Sequence, residues 1–242
     1  MIARPDLVTL DLGDTLIRPD PSWAEAYRAA TIDAGVPVTR ERLALGFTAA
    51  LGSGLLDDMG PFEVSPQASY ERIRRFDEAI MDGAGLPGLP DSFYRAVAAR
   101  FADPTSWCVF GDVRPALARL RAAGIRLAVV SNWVWDGARL LGELGLAGDF
   151  VTIVISDRVG YGKPHPAIFR AALDAAGVPA ERAVHVGDSY AKDVLGAAGI
   201  GMAAMLLARD GASTAAPVVD PGSPPLPAVR DLGVVAERLG VA

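Results

Sequence analysis

The stretch Leu7-Val8-Thr9-Leu10-Asp11-Leu12-Gly13-Asp14-Thr15-Leu16 decides how the rest of the chain is read. An apolar run containing the β-formers Val8 and Thr9 ends on one carboxylate, and a Gly-Asp-Thr turn follows at once. A buried strand that delivers an acid to the carboxyl edge of a parallel sheet has this pattern, and open α/β folds bind ligands at that edge. An aspartate there serves as nucleophile, metal ligand or both; the same residue also serves as a plain turn residue or helix cap. The downstream sequence separates these readings.

From residue 112 the rhythm becomes helix, glycine, strand. Pro115 opens a helix that stops at Ala122-Ala123-Gly124, ahead of a strand over 126–131. A second strand covers 150–156. A helix over 164–176 stops at Gly177 before a strand over 183–186, and one over 191–198 stops at Gly199 before a strand over 202–207. This alternation predicts an α/β fold with a doubly wound, mostly parallel sheet and helices on both faces. Residues 210–227, rich in Pro, Gly, Ser and Ala, read as a surface loop, and 229–239 as a closing helix. Between residues 18 and 107 the apolar positions recur at helical spacing, with helices predicted over 22–34, 39–51, 66–84 and 91–101 and no strand. The expected organisation is a Rossmann-like core, 1–17 and 108–242, carrying a helical cap, 18–107, whose two ends lie close together.

The 242 residues are 51% apolar but only 7% aromatic, enough for a sizeable core filled by Ala, Leu and Val. A net charge of −6 without a basic stripe speaks against nucleic acid and anionic membranes as partners. The longest uncharged stretch, 196–208, is too short for the ~20 residues of a membrane span. The single cysteine, Cys108, forms no internal disulfide, and Asp6 and Asp11 interrupt the first apolar run, so a cytoplasmic protein is expected. Only two of the 23 basic residues are lysines, Lys163 and Lys192. Oligomeric state is not legible.

Four polar clusters fall at or just past predicted strand ends: Asp11 to Thr15, Ser131-Asn132, Gly162-Lys163-Pro164, and Gly187-Asp188-Ser189 through Asp193. Sheet geometry gathers such ends at one edge. Carboxylates, a hydroxyl, an amide and a lysine together suit a phosphoryl group beside a divalent cation. Other readings apply to single residues. Lys192 reads as surface, His185 as a satisfied core histidine, and His165 as exposed. Trp133 and Trp135 read as packing or as lining of a cleft. Arg40, Arg42, Arg72, Arg74 and Arg75 read as solvated faces or as contacts to a second anion.

In this order the clusters resemble the haloacid dehalogenase (HAD) superfamily, in its phosphatase-like branch with a helical cap inserted after the first motif. The likeness spans nearly the whole chain. It implies a Mg²⁺-dependent phosphatase acting on a small phosphorylated metabolite. Asp11 would attack phosphorus to form an aspartyl-phosphate, with Ser131 and Lys163 gripping the phosphate beside Thr15 and Asn132. Asp188 would join Asp11 and the Gly13 carbonyl on Mg²⁺, and Asp193 would orient the metal shell or Lys163.

One position departs from the pattern. The family's second aspartate, which protonates the leaving oxygen and activates water, is replaced by Gly13, with Asp14 next to it. Asp14 can replace the missing acid; a cap acid such as Asp57 or Asp58, or a water, is a second possibility. Another chemistry of the superfamily, or binding without turnover, completes the alternatives. The acid at Asp188 speaks against the metal-free dehalogenases. A cap without lysine excludes the phosphonatases, which form an imine through one.

Overall fold

The computed structural model describes residues 4–209 and 228–241. Its centre is a parallel sheet of five strands, ordered β5-β4-β1-β6-β7. These are β1 (Leu7–Leu10), β4 (Arg126–Ser131), β5 (Thr152–Ile155), β6 (Ala183–Gly187) and β7 (Ala203–Leu206). The register sets Leu10 against Val129 on one side and Val186 on the other. β1 is therefore central, and all four of its residues are buried. Side-chain alternation sends Val8 and Leu10 into one apolar cluster and Leu7 into another, so each face of the sheet has its own core. Strand order reverses at β1, the crevice where open α/β sheets take ligands.

Helices α5 (Val113–Ala122), α6 (Gly137–Glu143) and α10 (Leu232–Arg238) cover the first face, with Leu117, Leu140 and Val235 in its core. Helix α8 (Pro166–Ala176) covers the second through Ile168 and Phe169. A four-residue helix, α7 (Ser156–Val159), follows β5. After β6 the chain winds a π-helical turn, Tyr190–Leu195, into the short α9 (Gly196–Ala198).

The insert holds α1 (Trp23–Asp33), α2 (Arg40–Gly52), α3 (Pro66–Gly83) and α4 (Asp91–Ala102), packed around a third cluster that includes Leu43, Phe76, Ile80 and Tyr94. Ser22, Thr39 and Ser65 cap the first three helices, each accepting an amide N–H of the first turn. Two short strands absent from the sequence reading, β2 (Ile17–Pro19) and β3 (Trp107–Val109), pair antiparallel and set Arg18 against Cys108. Strands of three residues are too short to display an alternation. Helix α8 begins two residues later than expected, because His165 caps it and Pro166 takes its first turn. α6 and α7 were also not anticipated, and the expected 210–227 loop lies outside the described residues. No helix among the described residues is long and apolar enough to cross a membrane.

Candidate active site

β1 carries Asp11 to the sheet edge, where its amide donates to the Val186 carbonyl at 2.9 Å. Lys163 reaches the same point from the loop ahead of α8, with only 3% of its surface exposed. Its Nζ donates to Asp11 Oδ1 at 2.6 Å and to Asp193 Oδ1 at 2.5 Å. Burial opposes the ammonium charge, but the two carboxylates outweigh it and hold the lysine above its usual range. Asn132, just past β4, fixes this lysine by its backbone. Its Nδ2 donates to the Lys163 carbonyl at 3.0 Å and its Oδ1 accepts the Lys163 amide at 2.6 Å. Both ends of the Asn132 amide are thereby engaged in positioning Lys163.

Asp193 sits on the π-helical turn, in which the Ser189 carbonyl accepts from the amides of both Asp193 and Val194. Its Oδ1 also meets His185 Nε2 at 2.9 Å, and its Oδ2 accepts the Ser189 amide at 2.9 Å. Burial raises this carboxyl, yet Lys163 and His185 together hold it well below the ordinary carboxylate range. A Cβ at Gly187 would stand 2.2 Å from Asp193 Cγ, so glycine is required there for the carboxylate to fit. His185 Nδ1 in turn lies 2.7 Å from Thr9 Oγ1. The chain Thr9–His185–Asp193–Lys163–Asp11 is thus one buried network running along the carboxyl half of the sheet. His185 is satisfied, as expected, but its tie to the site lysine was missed. The available signal was the register itself, which sets Thr9 opposite His185 inside two apolar strands.

Asp188 lies in the cleft past β6. Desolvation, then the negative charges of Asp11 and Asp193, push its carboxyl up to about 8. Asp11, Asp188 and Asp193 each offer an oxygen within 4.8 Å of the others. Asp11 and Asp193 alone outnumber the one lysine, and an all-oxygen donor set suits a hard divalent cation. Because Asp193 is already engaged three ways, Asp11 and Asp188 are the carboxylates better placed to hold one. Ser131 ends β4, two residues beyond the Leu10–Val129 pair, and is buried. Thr15 is fully buried, and its Oγ1 finds no hydrogen-bond partner among the described residues.

Position 13 shows where the missing acid would have stood. A Cβ on Gly13 would lie 3.0 Å from the Trp133 ring, so the indole crowds that space. Asp14 instead adopts a left-handed backbone, φ 53°, at a cost that a non-glycine residue bears only when its surroundings enforce it. Its Oδ2 accepts Trp23 Nε1–H from the first cap helix at 3.0 Å, and it lines the cleft together with Asp188. Of the alternative cap acids, Asp57 faces Lys192 Nζ at 3.5 Å, while Asp58 also lines the cleft and its Oδ1 accepts the Gly60 amide at 3.0 Å. Lys192 also donates to the Leu56 carbonyl at 2.9 Å, tying core to cap, where the sequence suggested an idle surface residue. The five cap arginines are engaged too. Arg40 pairs with Glu25, Arg72 with Asp157 and Arg74 with Glu78, while Arg42 and Arg75 bond backbone carbonyls.

Comparison with known proteins agrees with this geometry. A family model for haloacid dehalogenase-like hydrolases matches residues 5–201. The chain is 34% identical over 211 residues to haloacid dehalogenase-like hydrolase domain-containing protein 3 of Danio rerio, covering 86% of this chain and 87% of that one. It is 31% identical to a phosphoserine phosphatase of Thermus thermophilus, over 84% and 88% of the two chains. The crystal structure of a HAD phosphatase from Thermococcus onnurineus superposes with a TM-score of 0.63 at 25% identity, covering 100% of this chain and 99% of that one. Sheet order, helical insert and acid cluster thus meet the family match over most of the chain, which belongs to the haloacid dehalogenase-like hydrolases.

Proposed function

We propose that the protein is a Mg²⁺-dependent phosphatase of small phosphorylated molecules, working through an aspartyl-phosphate at Asp11. The observation that carries this reading is the 2.6 Å contact between Asp11 and a buried lysine, beside an acid cluster short of positive charge. Lys163 orients the Asp11 carboxylate and offers its remaining donor capacity to a phosphoryl oxygen, with Ser131 alongside. Asn132 contributes through the lysine backbone it clamps, and Thr15 brings a buried hydroxyl with no hydrogen-bond partner among the described residues. Asp11, the Gly13 carbonyl and Asp188 are the groups that would hold Mg²⁺, which supplies charge neutralisation at the phosphoryl oxygens when bound. Asp193, locked by Lys163, His185 and Ser189, acts as a positioning residue for the lysine.

The proton transfers normally made from position 13 are assigned to Asp14. It is the neighbouring carboxylate in the cleft, and the Trp23 indole holds it in place. The relatives described as phosphatases support phosphomonoester chemistry in general and leave the substrate open. Phosphate release from aryl and alkyl phosphates, with Mg²⁺ or with EDTA, tests the reading in wild type and Asp11→Asn. Metal-dependent release that Asp11→Asn abolishes is the expected result; release that survives in Asp11→Asn sinks it. A non-catalytic phosphate-binding module is the second reading, favoured by the glycine at position 13, and it predicts Mg²⁺-dependent phosphate binding without turnover.

A further inference from the structure

All four tryptophans of a chain poor in aromatics, Trp23, Trp107, Trp133 and Trp135, line a single cavity of about 1220 Å³ between cap and core. Asp14, Asn132 and Asp188 also line it, so it opens directly onto the acid cluster. It exceeds what a phosphoryl group needs and is larger than the ~300–1,000 Å³ of ordinary small-molecule sites. Three of the tryptophans touch in sequence, with ring centroids 5.5 Å apart for Trp23–Trp107 and 5.1 Å for Trp107–Trp133. On the cap side Leu51, Leu55 and Leu56 line the wall while remaining 60, 37 and 41% exposed. This is apolar surface that an occupant would cover.

The charges in the wall point the same way. Its arginines are Arg72, Arg95 and Arg139, and each is taken. Arg72 pairs with Asp157 and lies 4.2 Å over the Phe62 ring. Arg95 pairs with Asp91, and Arg139 with Glu143, both at 2.6 Å. Among the described residues each of these three cations already has a carboxylate partner. A smaller cavity of about 560 Å³ meets the site from the other side of Asp14 and Asp188. Its two arginines are also bonded, Arg18 to the Pro21 carbonyl and Arg209 to Asp112 and the Thr15 carbonyl.

Resting on the phosphatase reading of this site, we propose that its substrate is a phosphomonoester of a bulky, uncharged aromatic alcohol. The ring system packs among the four tryptophans and beneath the exposed leucines of the cap. Aromatic rings gain both apolar burial and edge-to-face contacts in such a wall. A small polar alcohol would leave most of it unfilled, and an anionic one would meet, in the larger cavity, only arginines already paired with carboxylates.

The test matches leaving groups so that only the distal part differs. kcat/KM is measured for naphthylethyl phosphate, ethyl phosphate and phosphoserine, in wild type and Leu55→Asp. In parallel, tryptophan fluorescence is titrated with naphthylethylphosphonate and ethylphosphonate, which cannot be hydrolysed. Naphthylethyl phosphate should lead both other esters by about 10- to 200-fold, and Leu55→Asp should shrink that lead several-fold. The naphthyl phosphonate should bind correspondingly more tightly. Asp11-dependent turnover in which phosphoserine or ethyl phosphate equals or beats the naphthyl ester overturns the proposal and keeps the phosphatase. If no ester turns over, the phosphatase reading fails by itself. Tighter binding of the naphthyl phosphonate then supports the aromatic site, and equal binding of the two phosphonates overturns it.

Discussion

The two ends of the cleft are built from opposite materials. At the core end, Asp11, Lys163, Asp193 and His185 are buried and bonded to one another across strands β1 and β6 and the turns that follow β5 and β6. At the cap end the wall is aromatic, and the buried acid that α3 contributes to it, Asp77, accepts from a tyrosine hydroxyl and has no cation bonded to it among the described residues. The contrast separates two tasks. Strand ends of a rigid sheet can fix charged groups to within a hydrogen-bond length, which chemistry on a phosphoryl group requires. On the proposed reading, the inserted helices offer the area and shape that select what the phosphoryl group is attached to. A change at the core end should therefore alter rate for every substrate, and a change at the cap end should alter the ranking of substrates.

The largest break comes from the core end. Lys163→Met should lower kcat by about 10²–10³ for all esters alike, the cost of removing a preorganised charge. It also takes from the buried Asp11 and Asp193 the cation they share, so circular dichroism melting must accompany the rate measurement. Asp14→Asn should cost ~10²–10⁴ on alkyl esters, the range for a lost general acid or base. The loss should be visibly smaller on aryl esters, whose leaving groups need less protonation. A uniform loss would mean that Asp14 only shapes the turn that its positive φ creates. A smaller effect is expected from Gly13→Asp. Restoring the family acid should quicken turnover little, because its Cβ would stand 3.0 Å from the Trp133 ring, which must give way to admit it. Adding Trp133→Ala to it should recover rate, whereas acceleration by Gly13→Asp alone would show that the indole yields freely.

The smallest effect belongs to Asp77 and is read in stability. Burial raises its carboxyl to about 7, while the hydrogen bond from Tyr27 pulls the other way. Since the folded value lies above the unfolded one, folding favours the protonated acid. Its contribution is complete below about pH 4 and declines as pH rises through about 7. Asp77→Asn should therefore raise the Tm by a few degrees at pH 8, with the gain shrinking toward pH 4. A gain independent of pH would indicate that ionisation of Asp77 plays no part.

Much of the core end was legible in the sequence because it sits where pattern is strongest. Asp11, Ser131, Lys163 and Asp188 each stand just after an apolar run or a Gly-bounded loop, and strand–helix alternation places such points on one edge. The network behind them was not legible. Thr9 and His185 hide inside apolar strands, and only the pairing of β1 with β6 brings them face to face. Asn132 was read as a phosphate ligand from its neighbour Ser131, but a residue's position does not reveal that its amide clamps a lysine 31 positions away. At the cap end, helical spacing gave the elements, yet nothing local told that Trp23 on α1 and Trp133 past β4 share one cavity. The β2–β3 ribbon escaped because its register is set by tertiary pairing between segments about 90 residues apart.

The most direct test of the account is to trap the acyl phosphate. Protein turning over naphthylethyl phosphate with Mg²⁺ is quenched in acid and reduced with borohydride, which converts an aspartyl-phosphate to homoserine. The peptide carrying position 11 is then weighed. Homoserine is expected at position 11, dependent on substrate and Mg²⁺, and with an aryl phosphate as donor, whose leaving group needs little protonation, it should be more abundant in Asp14→Asn, where water activation is lost. Phosphate release that proceeds in both proteins with no reduction product at Asp11 would contradict it.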